Sequence, residues 1–225
     1  MKYAKMLEGR YALILGGDTA IGAAVARLFA AHGAQVSPVG TPVHSSAAAG
    51  LCANVLKEFP YVDILVSATD MYNTGATHNF SPLDLQRMLD VNLGCAVRCF
   101  QELLPGMLEH RRGELVLFAP DLTDAGLPGA AAAAACAGAI SSFARNVTFD
   151  YIRYRVRANT VLYPFESVYN GISGRIPLSG APDASDAANA ALWYACYLSR
   201  YVIGETLNVN GGLAYMGNYG SNCGG

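Results

Sequence analysis

Short apolar runs alternate along this chain with longer stretches in which apolar residues recur every three or four positions, the pattern of strands interleaved with amphipathic helices. YALIL at 11–15 predicts a strand ending in Gly16-Gly17, and Ile21, Val25, Leu28 and Phe29 recur at helical spacing over 20–32. Gly33 closes that helix, AQVSPV at 34–39 reads as a second strand, and Gly40-Thr41-Pro42 breaks it. A helix over 47–59, a strand over 62–67, a long helix over 82–110 interrupted around Pro105 and a strand over 114–119 follow. Then come a helix over 129–154, a strand over 157–162, a helix over 183–200 and a closing strand over 206–210. Such alternation implies a doubly wound α/β fold, a parallel sheet covered by helices on both faces.

Composition narrows the class. At 225 residues, 52% hydrophobic and 14% charged, the chain supports one substantial core, so a single domain over 1–225 is expected. The formal charge of −2 comes without charged blocks, which argues against a basic face for nucleic acid or an anionic membrane. The first ten residues carry Lys2, Lys5, Glu8 and Arg10 and no long apolar run, and no segment approaches the roughly 20 apolar residues of a membrane span, so a cytoplasmic protein is expected. Cys52, Cys95, Cys99, Cys136, Cys196 and Cys223 form no disulfide framework and are read as reduced thiols. Cys95 and Cys99 lie one helical turn apart, but with no histidine nearby a packed helix face is preferred and no metal is expected. His32, His44, His78 and His110 are scattered and read as surface or capping residues.

Residues 15–22, LGGDTAIG, resemble the TGxxxGIG turn of the short-chain dehydrogenase family, with Leu15 in place of the threonine and Ala20 in place of the middle glycine. Gly16, Gly17 and Gly22 still permit a tight turn that aims amides at a pyrophosphate; they equally permit close packing of strand on helix. Further landmarks follow in the family's order: DILV at 63–66, Asp90-Val91-Asn92-Leu93, Leu104-Pro105-Gly106-Met107, GELVLFAP at 113–120 and Pro128-Gly129. CAGAISSFAR at 136–145, Val156-Arg157-Ala158-Asn159, Ile176-Pro177-Leu178 and VIGETLNVNGG at 202–212 complete the succession. The resemblance spans essentially the whole chain and implies a Rossmann-like fold, shortened by one βα unit between Gly40 and Tyr61.

In the family a serine polarises the substrate carbonyl, a tyrosine passes the proton and a lysine lowers the tyrosine pKa. Aligned on these motifs, the serine position is Pro120, the tyrosine position Ala133 and the lysine position Ala137; a slip of one residue gives Ala119, Ala132 and Cys136. Lys2, Lys5 and Lys57 are the only lysines. Tyr151 and Arg155 form YxxxR at the far end of the helix and are read as surface or interface residues. The retained Asn92 is given a structural role. Six alanines at 130–135 keep a helix while deleting its polar start. The family's NNAG segment is here Ser67-Ala68-Thr69-Asp70, and Ser37 to His44 offers neither an acid for a ribose hydroxyl nor an arginine for a 2′-phosphate.

The resemblance therefore implies a degenerate member with no catalytic residues and a vestigial cofactor turn at Gly16, Gly17 and Gly22, binding no cofactor itself. NAD is expected on a catalytic partner, an active short-chain dehydrogenase subunit held through the helices 82–110 and 129–154 and the C-terminal segment. Part of the Ala137, Ile140, Phe143 and Val147 stripe, with Tyr215, Met216 and Tyr219, is the expected interface. As a class the chain resembles the non-catalytic subunits of hetero-oligomeric members, among them the 2-(hydroxy(phenyl)methyl)succinyl-CoA dehydrogenase of anaerobic toluene degradation. Two alternatives stay open: a non-redox enzyme using Asp70, Tyr72, Asp121 or Tyr163 in the old cleft, and a module that senses a dinucleotide. Asp121 and Asp124 are otherwise read as turn-forming aspartates.

Overall fold

The computed structural model describes residues 5–122, 126–169, 176–178, 180 and 182–213, and it lays the apolar runs out as six parallel strands in the order β2-β1-β3-β4-β5-β6. The strands are β1 (Tyr11–Leu15), β2 (Gln35–Val39), β3 (Ile64–Ser67), β4 (Gly113–Pro120), β5 (Val156–Tyr163) and β6 (Thr206–Asn208). The helices are α1 (Ala20–Ala31), α2 (Ser45–Glu58), α3 (Pro82–Leu89), α4 (Cys95–Glu109), α5 (Ala131–Tyr151), α6 (Glu166–Tyr169) and α7 (Ala184–Ala195). Helix α1 packs on α7 and α2 on α4, while α5 lies across β4 and β5, so the central strands are covered on both sides. That is why β3 and β5 read as continuous apolar runs.

Between β2 and β3 the chain forms only the helix α2, which leaves β2 at the edge of the sheet. Its sequence suits an edge: β2 is half-exposed and contains Pro38, which has no N–H for a further partner strand. The shortening expected between Gly40 and Tyr61 is thus present as a six-stranded sheet. Helix α2 begins at Ser45, two residues earlier than its apolar pattern suggests, because the Asp90 carboxylate accepts hydrogen bonds from the Ser45 amide (3.0 Å) and hydroxyl. A carboxylate at that end also complements the helix dipole.

The long helix 82–110 is interrupted, but not at Pro105. That proline lies within α4 and the helix continues past it. The break is the π-helical turn Asp90–Gly94, where Asn92 turns inward onto a distant backbone. The stripe on α5 is mostly core: Ala137, Ile140 and Val147 are buried and only Phe143 is half-buried, so it contributes little to any interface. Tyr151 is half-buried against Phe100 in an edge-on ring contact. The tail residues Tyr215, Met216 and Tyr219 lie outside the described residues, as do Asp124 and Cys223. The other five cysteines are buried free thiols, and burial with a neighbouring Asp90 pushes the Cys95 thiol up to about 12. No helix among the described residues is long and apolar enough to cross a membrane.

Buried charge is concentrated at the amino-terminal edge of the sheet. Arg10 pairs with Asp63, which also meets Arg112 at 3.5 Å, and Arg157 pairs with Glu114 at 2.6 Å. Burial pushes the Glu114 carboxyl up to about 7 despite Arg157 and Arg10, and lowers Arg10 to about 10. The folded chain therefore holds the Glu114 proton more tightly than the unfolded chain does. Its contribution to stability is fully present below the ordinary carboxylate pKa and is lost as pH rises through about 7. Urea unfolding across pH 5 to 8 is expected to show wild type losing on the order of 2 kcal/mol relative to Glu114→Gln. A difference that does not change with pH would show that burial leaves this carboxyl unshifted.

Candidate functional site

In a doubly wound sheet the crevice for ligands lies beyond the carboxyl ends of the strands. Here those ends are Leu15, Ser67, Pro120 and Tyr163. The turn after β1 is built by glycine because two backbones almost touch. Gly16 sits at φ +78°, and a Cβ on it would fall 2.5 Å from the Ala68 carbonyl oxygen. A Cβ on Gly22 would fall 2.0 Å from the Gly16 carbonyl oxygen, and one on Gly17 would fall 2.8 Å from the Pro38 Cβ. Thr19 bolts this turn: its hydroxyl donates to Gly16 O or Ala68 O, at 2.8 and 3.1 Å, and its oxygen accepts from the Gly22 amide at 3.0 Å. It is the N-cap of α1.

The turn keeps the shape of a phosphate cradle without the charge. Asp18 accepts from the amide and hydroxyl of Thr41 at 2.8 and 3.0 Å, which fixes a carboxylate between the glycine turn and the loop after β2. Asp70, three residues past β3, accepts from the Ser167 hydroxyl at 2.5 Å, and burial raises its pKa above the ordinary carboxylate value. Beside the turn stands the Asp18 carboxylate, and the loop from Val39 to His44 supplies no lysine or arginine to offset it.

The positions to which the resemblance assigns the serine, tyrosine and lysine are buried. Pro120 ends β4 and is buried; Ala133 and Ala137 on α5 have 0% exposure. Helix α5 contains no lysine, and its one tyrosine is its last residue, Tyr151. The loop after β3 lies against the start of this helix: the Gly75 amide donates to Gly129 O at 2.7 Å. The rings of Tyr72, Phe165 and Tyr163 meet in sequence, with centroids 5.6 Å apart at each step. Tyr163 donates to Pro182 O at 2.5 Å, and the Tyr72 hydroxyl is buried with no partner among the described residues. Asn92 faces the backbone of Met71, accepting from its amide at 3.1 Å and donating to its carbonyl at 2.7 Å. Both functions of its amide are engaged, so in this geometry it holds a loop.

Asp121 is not a surface turn residue. It is buried, its carboxylate accepts from Asn210 Nδ2 at 2.6 Å, and its carbonyl accepts from the Tyr169 hydroxyl. It ties the end of β4 to α6 and to the segment after β6. Among the four residues nominated for a repurposed cleft, Asp121, Tyr163 and Asp70 are engaged by Asn210, Pro182 and Ser167, and the buried Tyr72 hydroxyl has no partner among the described residues.

Fold and crevice define a Rossmann-like α/β protein of the doubly wound kind. The chain belongs to the short-chain dehydrogenase/reductase family: its residues 43–214 match the family model described as enoyl-(acyl carrier protein) reductase. It is similar to the 3alpha-hydroxysteroid dehydrogenase of Mediterraneibacter gnavus, at 26% identity over 92% of this chain and 97% of the relative. It is similar also to a 3-oxoacyl-(acyl carrier protein) reductase of Vibrio cholerae, at 26% over 93% and 99%, and to nodulation protein G of a Rhizobium species, at 27% over 93% and 99%. A solved short chain dehydrogenase/reductase family protein superposes with a TM-score of 0.80 at 27% identity, covering 93% of this chain and 99% of its own.

If the glycines of the turn are held by packing, their replacement must cost stability with no ligand present. Gly22→Ala is expected to destabilise by more than about 2 kcal/mol in urea unfolding. Gly50→Ala, on an exposed position of α2 where a Cβ meets nothing within 4 Å, should stabilise by about 0.5–1 kcal/mol. Equal effects of the two changes would contradict the packing argument.

Proposed function

We propose that this chain is a non-catalytic subunit that assembles with an active short-chain dehydrogenase and stabilises it, the partner holding NAD and performing the oxidoreduction. The observation that carries this reading is the start of α5. Where the family resemblance requires a tyrosine and a lysine, Ala133 and Ala137 lie without exposed surface and no lysine exists on the helix. Pro120, at the serine position, offers no hydroxyl. Proton transfer to a carbonyl needs a side chain that can give a proton, and these three cannot. The Asp18 carboxylate beside the glycine turn, with no lysine or arginine in the loop from Val39 to His44, argues the same way for the cofactor.

A surface for a partner remains. The groove beside α3 and α4, about 870 Å3, is lined by Val43, Leu83, Leu89, Leu93, Val97 and Gln101 among others, and Leu83 is 74% exposed. On the neighbouring helix α5, Phe149 is 72% exposed. Hetero-oligomeric members such as the 2-(hydroxy(phenyl)methyl)succinyl-CoA dehydrogenase of anaerobic toluene degradation supply the setting by analogy; no residue identifies that substrate here.

The purified chain is expected to show no nicotinamide-coupled turnover and no calorimetric binding of NAD(H) or NADP(H), and to copurify with a dehydrogenase encoded beside it when the two are coexpressed. Turnover by the chain alone, or a stable homo-oligomer indifferent to every such neighbour, would overturn the reading. Ala133→Tyr should lose on the order of 2 kcal/mol, because the ring must enter filled space. An unchanged stability would mean that room for the tyrosine was kept.

Asp70 supports a second reading, a non-redox enzyme in the old cleft, since a carboxyl raised by burial beside the unpartnered Tyr72 hydroxyl is suited to proton transfer. In that case Asp70→Asn abolishes a hydrolytic or lyase activity without moving Tm; activity that survives the exchange removes this reading.

A further inference from the structure

The opposite end of the sheet holds a concavity that the reading above does not use. It measures about 740 Å3 and is lined by Arg10, Arg111, Arg112, Arg155, Arg157 and Arg200, half of the chain's twelve arginines. They arrive from the starts of β1, β4 and β5 and from the segments that follow α4, α5 and α7. Two of them belong to the fold. Arg10 is held by Asp63, and Arg157 is held by Glu114 and by the carbonyls of Tyr194, Ser199 and Val202, at 2.6, 2.6 and 2.8 Å.

Of the other four, only Arg112 meets a carboxylate, and that one is shared with Arg10. Arg112 reaches Asp63 only at 3.5 Å, behind Arg10, with 41% of its side chain exposed. Arg111 donates to the Arg153 carbonyl at 2.7 Å and lies over the Tyr154 ring; Arg200 lies over the Tyr201 ring at 5.4 Å. The Arg155 guanidinium makes no hydrogen bond or ion pair with any described residue, while its backbone donates to Ile152 O at 2.9 Å and accepts from the Gly113 amide at 3.2 Å. With Asp63 and Glu114 as the carboxylates of the site, positive charge is left in excess in a chain whose net charge is −2.

A second, independent observation concerns the backbone. Arg111 and Arg155, at φ 48° and 58°, are the described non-glycine residues with positive φ. Both follow helices, at positions where glycine is the favoured residue because it has no Cβ to strain. A chain with 24 glycines uses arginine at both, and both arginines line the same cavity. Strain retained where a functional group projects into a concavity points to a site.

We propose that this concavity binds a small polyphosphate carrying an aromatic ring, a nucleotide held outside the family's crevice. Forked guanidinium groups pair with phosphate oxygens two bonds at a time, which suits four arginines without full partners better than it suits a lone carboxylate. The exposed rings of Tyr197 and Tyr201 at the rim offer stacking for a base, and the volume falls in the range of small-molecule sites.

The test is calorimetric titration of the purified full chain with ADP and with inorganic pyrophosphate at low ionic strength. Both probes are expected to bind, and Arg155→Gly and Arg200→Ala each to weaken both by about tenfold. Tyr201→Ala should weaken ADP alone, which separates a nucleotide from an inorganic polyphosphate; an equal loss for both probes, or none, overturns the assignment of a ring. Arg155→Gly should also raise the Tm of the unliganded chain by about 2 °C, since glycine relieves the left-handed strain and keeps the fold. Absence of binding by either probe, full affinity in both arginine variants, or a fall in Tm on Arg155→Gly would overturn the proposal. None of these outcomes depends on whether the chain pairs with a dehydrogenase.

Discussion

At the carboxyl ends of β1 and β3 the backbone of Gly16 passes so near that of Ala68 that no side-chain carbon fits between them. The register of these two strands, the start of α1 and the seat of α1 against the sheet follow from that approach. Thr19 makes it tolerable: one side chain satisfies the Gly22 amide and donates to carbonyls on both strands' ends. The same geometry that elsewhere receives a pyrophosphate thus also serves the packing of this fold. Glycines in this turn are consequently weak testimony about a cofactor.

Much of the architecture was legible because it is local. Alternating apolar runs, the glycine turn and the order of short motifs each depend on neighbours in sequence, and they return a six-stranded parallel sheet with β2 at its edge. What escaped depends on partners far apart. The break at Asp90–Gly94, rather than at Pro105, comes from Asn92 bonding to Met71, and the burial of Asp121 comes from Asn210. Arginines at 10, 111, 112, 155, 157 and 200 form no run, and an expectation of no basic face followed; the sheet gathers them because the starts of β1, β4 and β5 lie close together in it. Pro120, Ala133 and Ala137 were legible as residue types, whereas their burial was not; the loop after β3 also bonds to Gly129 at the start of α5.

The alanine run shows how a cleft can be closed with little change to its frame. Alanine is the best helix former, so α5 persists over 21 residues without its polar opening. Small side chains let the loop through Gly75 approach the helix and let Ala133 and Ala137 sink from solvent. The remaining gap beside Phe80 and Leu85 is about 280 Å3 and lined by Ala131, Ala132 and Ala135.

Charge polarity separates the two ends of the sheet, and helix dipoles explain only part of it. Arg111, Arg112 and Arg155 follow the carboxyl ends of α4 and α5, where a cation gains about 0.3–1 kcal/mol from the dipole. A left-handed conformation costs a non-glycine residue roughly 1–2 kcal/mol. The dipole therefore does not repay arginine at φ 48° or 58°, and the neighbouring Arg112, which is not among the positive-φ residues, secures the same attraction without strain. Structural economy favours glycine at both strained positions. Arg111 offsets part of the strain by donating to the Arg153 carbonyl and lying over the Tyr154 ring; the Arg155 guanidinium has no such partner, and an anion in the proposed cavity site would supply one.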